Sequence, residues 1–141
     1  MTASAFFKPQ ALALQLSQIT HVALLKVDPG DDNNLMAEVQ LNEWPAYTRI
    51  PVAAHPYWTE PMPFWTEVTR FSDDEWGVEN MLQVNFPQHD GAADVSVSYI
   101  GYYDAPVGGN LLARAAMATP KTIHPGDGAA CAVGSLHLRV R

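Results

Sequence analysis

Apolar and polar positions alternate with a period of two along much of this chain, and turn residues separate the alternating stretches. Val95, Val97, Tyr99, Gly101 and Tyr103 share one face of a predicted strand. Gly134, Leu136, Leu138 and Val140 alternate with Ser135, His137, Arg139 and Arg141 in a closing strand. Leu35, Ala37, Val39 and Leu41 alternate with Met36, Glu38 and Gln40, which predicts a half-buried strand. Leu82, Val84 and Phe86 share a face within a strand over residues 78–86. Residues 21–27 are apolar on both sides except at Lys26, as in a strand covered on both faces. Shorter strands are predicted over residues 47–52, 64–71 and 111–118. A two-residue period beside turn chemistry is the mark of antiparallel sheet with a buried face.

Turn residues frame these strands. Asp104-Ala105-Pro106 sets a bend because proline fixes φ, and Gly108-Gly109-Asn110 supplies the positive-φ positions of a tight reversal. Pro125-Gly126-Asp127-Gly128 makes a second reversal. Pro106, Gly108, Gly109, Asn110, Gly126 and Gly128 are thus the expected turn-building residues. Residues 28–34 form an acidic hairpin loop whose carboxylate spacing does not match a calcium loop. The three prolines within residues 55–63 place that stretch in a loop or at a sheet edge. Ser72 to Glu75 has a capping-box pattern, but Gly77 follows too soon for more than a turn. Leu12, Leu16 and Ile19 have helical spacing behind Pro9, so residues 11–19 are expected as a short helix, with a strand as the alternative. Residues 1–10 are a candidate arm. The sum is an all-β jelly roll or β-sandwich of about eight antiparallel strands, with at most one short N-terminal helix, in a single domain over residues 1–141.

Composition narrows the function. Only 16% of the 141 residues are charged, against a usual quarter, so much of the surface is uncharged. Such a surface is either polar or suited to contact with other proteins. Eight basic and fifteen acidic residues give a net charge of −7, which argues against nucleic-acid binding. No stretch approaches the length of a membrane span, and the N-terminus lacks the basic start of a signal peptide. Synthesis in a cytoplasm is expected. The lone Cys131, between two alanines, is expected as a small buried residue.

Candidate chemistry is sparse. His21, His55, His89, His124 and His137 are scattered, with no pair at metal-ligand spacing. His89-Asp90 stands beside Gly91 in a predicted turn, where such residues shape backbone. No nucleophile elbow or phosphate loop occurs. The expectation is no enzyme, no cofactor and no metal. The aromatics Trp44, Tyr47, Tyr57, Trp58, Trp65 and Trp76 cluster in the middle of the chain. They could present rings to a sugar, but filling a core or a subunit interface is the favoured reading. Phe6, Phe7, Tyr57, Trp58, Phe64 and Trp65 are the candidate protein-contact residues.

The run Tyr99-Ile100-Gly101-Tyr102-Tyr103-Asp104-Ala105-Pro106-Val107-Gly108-Gly109-Asn110-Leu111-Leu112 is followed by Thr119-Pro120-Lys121-Thr122-Ile123 and Pro125-Gly126-Asp127. His21 to Leu25, Glu38-Val39 and Tyr47-Thr48-Arg49 extend the pattern N-terminally. This arrangement resembles small structural proteins of tailed bacteriophages, a group with a tail-fibre-like label. Within the group it most resembles capsid cement (decoration) proteins of the kind carried by a tailed Bordetella phage. That likeness implies a jelly-roll subunit, dimeric, on the outer surface of the phage head, with the major capsid protein as partner. It would stabilise contacts between capsomers through many weak contacts on a lattice. A net negative charge suits an outer surface better than one facing packaged DNA. A tail or tail-fibre-associated virion protein is the alternative, and a carbohydrate-binding β-sandwich is the second.

Overall fold

The computed structural model describes residues 7–31, 34–52, 64–66, 68–72 and 75–140. They form one helix, α1 (Phe7–Gln18), and nine strands: β1 (His21–Leu25), β2 (Ile50–Pro51), β3 (Thr69–Ser72), β4 (Glu75–Glu79), β5 (Val84–Phe86), β6 (Val95–Tyr103), β7 (Leu111–Ile123), β8 (Ala129–Cys131) and β9 (His137–Val140). The strands make a four-stranded sheet in the order β2-β1-β6-β7, a three-stranded sheet β3-β4-β9 and the pair β5-β8. Antiparallel sheets with one short helix are what the alternation predicted for an all-β sandwich. The chain divides into two compact units, interleaved in sequence. One comprises Ile19–Val52 and Asn85–Ala130; the other comprises Met1–Gln18, Ala53–Val84 and Cys131–Arg141.

The first unit is built on the four-stranded sheet. β1 lies between β2 and β6, and Val22, Ala23, Leu24 and Leu25 are all buried. A strand with neighbours on both edges and cover on both faces must be apolar throughout, which is why the run from His21 does not alternate. Beside the sheet, Trp44 is fully buried, with its ring 5.0 Å from that of His89 and 5.8 Å from that of Tyr47. The Trp44 indole donates to the Gln88 carbonyl, so its one polar atom is satisfied inside the core. His89 Nδ1 accepts from the Gly91 N–H, which leaves the proton on Nε2 to be donated to the Ala93 carbonyl at 2.7 Å. This histidine shapes the turn, in line with the sequence.

β7 is the outer strand of that sheet. Its pairing jumps from Tyr99↔Ala116 to Val97↔Lys121, so Ser98 stands opposite four residues, 117–120. Pro120 sits in this bulge and Lys121 follows it. A long edge strand invites unwanted pairing, and a bulge, a proline and charged residues such as lysine are the usual ways of blunting it.

The second unit contains β3, β4 and β9, with α1 packed against β4 and β9 and its Leu12 buried. Asn80 follows β4 and is 1% exposed. Its amide donates to the carbonyls of Leu82 and Ala132 and its oxygen accepts from the Leu136 N–H.

Several expected boundaries move, each for a local reason. Residues 35–41 are not a strand: Leu35–Ala37 is a 3₁₀ turn, and only Glu38 bridges to Leu25. Asn34 caps the Met36 N–H, and the Gln40 amide donates to the carbonyls of Leu35 and Glu38. These side chains occupy backbone groups a ladder would use. The expected strand 78–86 is two, interrupted where the Asn80 side chain redirects the chain. The strand expected over 47–52 shrinks to Ile50–Pro51. β7 runs on to Ile123, past the expected end at 118. α1 begins at Phe7, so it takes in the last four residues of the expected arm. Cys131 lies in β8 and is half-buried rather than buried.

Candidate interaction site

The sequence motif 102–112 closes the hairpin between β6 and β7, and it is held from beneath by residues far away in the chain. Glu38 is fixed by its bridge to Leu25 and by the Val39 N–H donating to Leu24. Tyr47 is fixed by the turn after Trp44 and accepts from the Leu24 N–H at 3.1 Å. Arg49 stands one residue before β2. These three side chains meet in the first unit.

Arg49 is buried and forms a two-pronged pair with Glu38: Nε donates to Oε2 and Nη2 to Oε1, each at 2.9 Å. The Tyr47 hydroxyl donates to the same Oε2 at 2.7 Å. Nη1 of Arg49 reaches the other way, donating to the carbonyls of Ala105 at 2.9 Å and Gly108 at 2.8 Å. The guanidinium also lies 3.6 Å from the centre of the Tyr103 ring. Only arginine has a fork wide enough to serve a carboxylate, two carbonyls and an aromatic face together.

The loop has its own brace. Asp104 accepts from the Asn110 backbone N–H at 2.7 Å and from its side-chain amide at 2.9 Å. Gly108 and Gly109 have φ of +63° and +68°, as the sequence predicted for this reversal. A Cβ on Gly109 would stand 2.5 Å from Asp104 Oδ1 and 2.7 Å from the Ala105 Cβ. Glycine is therefore required there twice over, by conformation and by space.

Electrostatics follow the geometry. Burial works against the charged Arg49, but the hydrogen bonds and charge of Glu38 outweigh it and raise the Arg49 pKa. Burial, then the Glu38 charge, raises the Tyr47 hydroxyl pKa far above the ordinary tyrosine range. Burial followed by the Glu38 charge also raises Tyr103, with Arg49 opposing. The Asn110 N–H, then its amide, holds the Asp104 carboxyl below its usual value. The charges of Glu38 and Arg49 are turned on each other, and Arg49 on the loop carbonyls as well.

At the tip of this loop Val107 is 85% exposed, the most exposed large apolar side chain among the described residues. A second group of exposed apolar side chains, Val27, Leu35, Met36 and Leu41, falls where the Lys26 N–H donates to the Ala37 carbonyl and Gln40 to that of Leu35.

The residues singled out from sequence fare unevenly. Phe6, Tyr57 and Trp58 lie outside the described residues, and Phe7 starts α1 with its side chain outside them too. Phe64 is buried, with its ring edge-on to Trp65 at 4.8 Å, so it fills the core of its unit. Trp65 is half-buried and bridges to Asn80. Trp44 and Tyr47 are core residues, not presented rings. Pro106 and Asn110 are exposed in the braced loop. Gly126 has φ of +94°, whereas Gly128 is not among the positive-φ glycines and stands in open space. Sequence reasoning did not single out Glu38 and Arg49 as a pair. Their one signal was that Glu38-Val39 and Tyr47-Thr48-Arg49 both belong to the phage-like pattern.

No curated protein matches the chain. The family model described as Podophage GP4 fiber I protein gp80 matches residues 4–139, and the chain therefore belongs to this family of phage structural proteins.

Proposed function

We propose that the protein is a fibre-associated component of the virion, the tail-side alternative to a capsid cement protein. The observation that carries this reading is the family match across residues 4–139, whose description names a podophage fibre protein. That description supports a fibre location better than it supports the outer capsid surface or a likeness to a Bordetella phage cement protein. The geometry is in keeping with a holding role: a loop with the exposed Val107 at its tip is held by the buried Arg49. The partner is then a tail or fibre subunit rather than the major capsid protein, and the protein works by contact, without turnover. Net negative charge and low charge density suit protein contacts and disfavour DNA.

Gold-labelled antibody against the protein, imaged on intact virions by electron microscopy, tests the reading. Label on tail fibres or their attachment points is expected. Label distributed over the head shell would replace the fibre reading with the cement one.

A further inference from the structure

We propose that Asp127-Gly128 is a self-modifying site, at which the folded protein converts aspartate to isoaspartate, and that the fold shields its other Asp-Gly sequence, Asp90-Gly91, from the same reaction. The inference is independent of where in the virion the protein sits.

In an Asp-Gly sequence the backbone nitrogen of glycine attacks the γ-carbon of the aspartic acid side chain. A C–N bond forms, the C–OH bond of the carboxyl group breaks, and the hydroxyl leaves with the amide proton as water. The product is a succinimide ring. Water then opens the ring at either carbonyl. One opening restores aspartate; the other leaves the chain running through the side-chain carbonyl, with an extra methylene in the backbone. Water is the only co-reactant. Glycine favours the attack because no Cβ crowds the approach. The reaction needs an N–H and a carboxyl group that nothing else holds, and room for the backbone to turn.

The chain contains two Asp-Gly sequences, and the structure separates them. At the first, Asp90 Oδ1 accepts from the Ala46 N–H at 2.8 Å, and the Gly91 N–H donates to His89 Nδ1 at 3.1 Å. A Cβ on Gly91 would collide with the Glu43 carbonyl oxygen, so the backbone there has no room to shift. At the second, Asp127 and Gly128 are both exposed, between the 125–126 turn and the start of β8. Neither the Asp127 carboxylate nor the Gly128 N–H has a hydrogen-bond partner among the described residues. Nothing lies within 4 Å of where a Cβ on Gly128 would stand.

The change would be felt beyond the turn. The Asp127 carbonyl accepts from the His89 N–H at 2.8 Å, and the Gly126 N–H donates to the His89 carbonyl at 2.7 Å. A longer backbone at 127 pulls these two bonds out of register, and the His89 ring packs on the buried Trp44.

The test incubates the purified full chain, folded, below its melting temperature, beside the same chain unfolded in urea as a clock. Isoaspartate at 90 and 127 is read by peptide mass spectrometry with electron-transfer fragmentation. Both sites should convert in urea. In the folded protein 127 should convert several-fold faster than 90, and the aged protein should melt at a lower temperature than the fresh one. Gly128→Ala fits the open space, so it should keep the fresh melting temperature while suppressing conversion at 127. Equal conversion at the two sites of the folded protein overturns the proposal. So does an unconverted 127 once the unfolded chain has reacted, or a Gly128→Ala variant that converts as fast as wild type. Conversion with no fall in melting temperature overturns the coupling to the His89 turn.

Discussion

Tyr103 lies face-on beneath Arg49, its ring centre 3.6 Å from the guanidinium carbon, and the strand that carries Tyr103 runs directly into the loop that Arg49 holds. One cation therefore fixes both the end of β6 and the start of the reversal. Removing it leaves Glu38, whose side chain is only 13% exposed, without its counter-charge. Arg49→Met should destabilise by about 3–5 kcal/mol, the usual cost of breaking one side of a buried pair. Arg49→Lys should fall between, because an ammonium keeps the charge but cannot span the carboxylate and both carbonyls. Urea unfolding of the three proteins measures the order, and equal midpoints would refute the brace.

The two tyrosines of the cluster should respond in opposite ways. Tyr47 gives its hydroxyl proton to Glu38 and accepts from Leu24, so Tyr47→Phe leaves two buried groups short of a partner. A loss of about 1–3 kcal/mol is expected. The Tyr103 hydroxyl is buried without a hydrogen-bond partner among the described residues. Tyr103→Phe should be neutral or stabilising by about 1 kcal/mol, since the ring and its contact with Arg49 are kept. Thermal melts of both variants decide the matter; a large loss on Tyr103→Phe would mean the hydroxyl is bonded.

Adjacent glycines should also separate. Gly108 has φ of +63° and nothing within 4 Å of where a Cβ would stand, so Gly108→Asn should cost little, asparagine being tolerant of this conformation. Gly109 has φ of +68° and no room for a Cβ, so Gly109→Val should lower the melting temperature sharply. Similar melting temperatures for the two would count against the loop geometry.

Two exposed groups set opposite pH limbs. Asp104 has its pKa lowered by the Asn110 N–H and then its amide, so its contribution is present above the ordinary value of 3.8 and is lost as pH falls through the lower folded value. His124 has its pKa raised, first by its hydrogen bond to Asp94 and then by the charge there. Its contribution is full below 6.5 and is lost as pH rises through the higher folded value. Asp94→Asn should therefore lower the melting temperature at mildly acid pH and converge with wild type in alkali. A difference that grows with pH would reverse the assignment.

In the other unit, Asn80 is the equivalent of Arg49 on a smaller scale. Asn80→Ala strands the Leu136 N–H and frees the carbonyls of Leu82 and Ala132. A loss of about 2–4 kcal/mol is expected, with the 132–136 turn exchanging amide hydrogen faster. Unchanged exchange in that turn would show the contacts to be dispensable.

Local chemistry was legible in the chain wherever one residue type has one conformational use. Gly108-Gly109 announced a positive-φ reversal, Val95 to Tyr103 announced its strand to the residue, and the unbroken apolar run after His21 announced a doubly covered strand. Alternation misled at residues 35–41, where side-chain hydrogen bonds from Asn34 and Gln40 displaced a ladder. Asn80 broke a predicted strand in the same way.

The amino-acid order by itself determined the all-β class, the main turns and the sparsely charged, net acidic character of the chain, because period, φ preference and charge are properties of neighbours and of composition. Only the tertiary structure decided that Glu38, Tyr47 and Arg49 converge under a loop that begins 55 residues beyond Arg49, counting from 49 to 104. An ionic brace depends on distance in space and on exclusion of water, and neither is written in the spacing of residues along a chain.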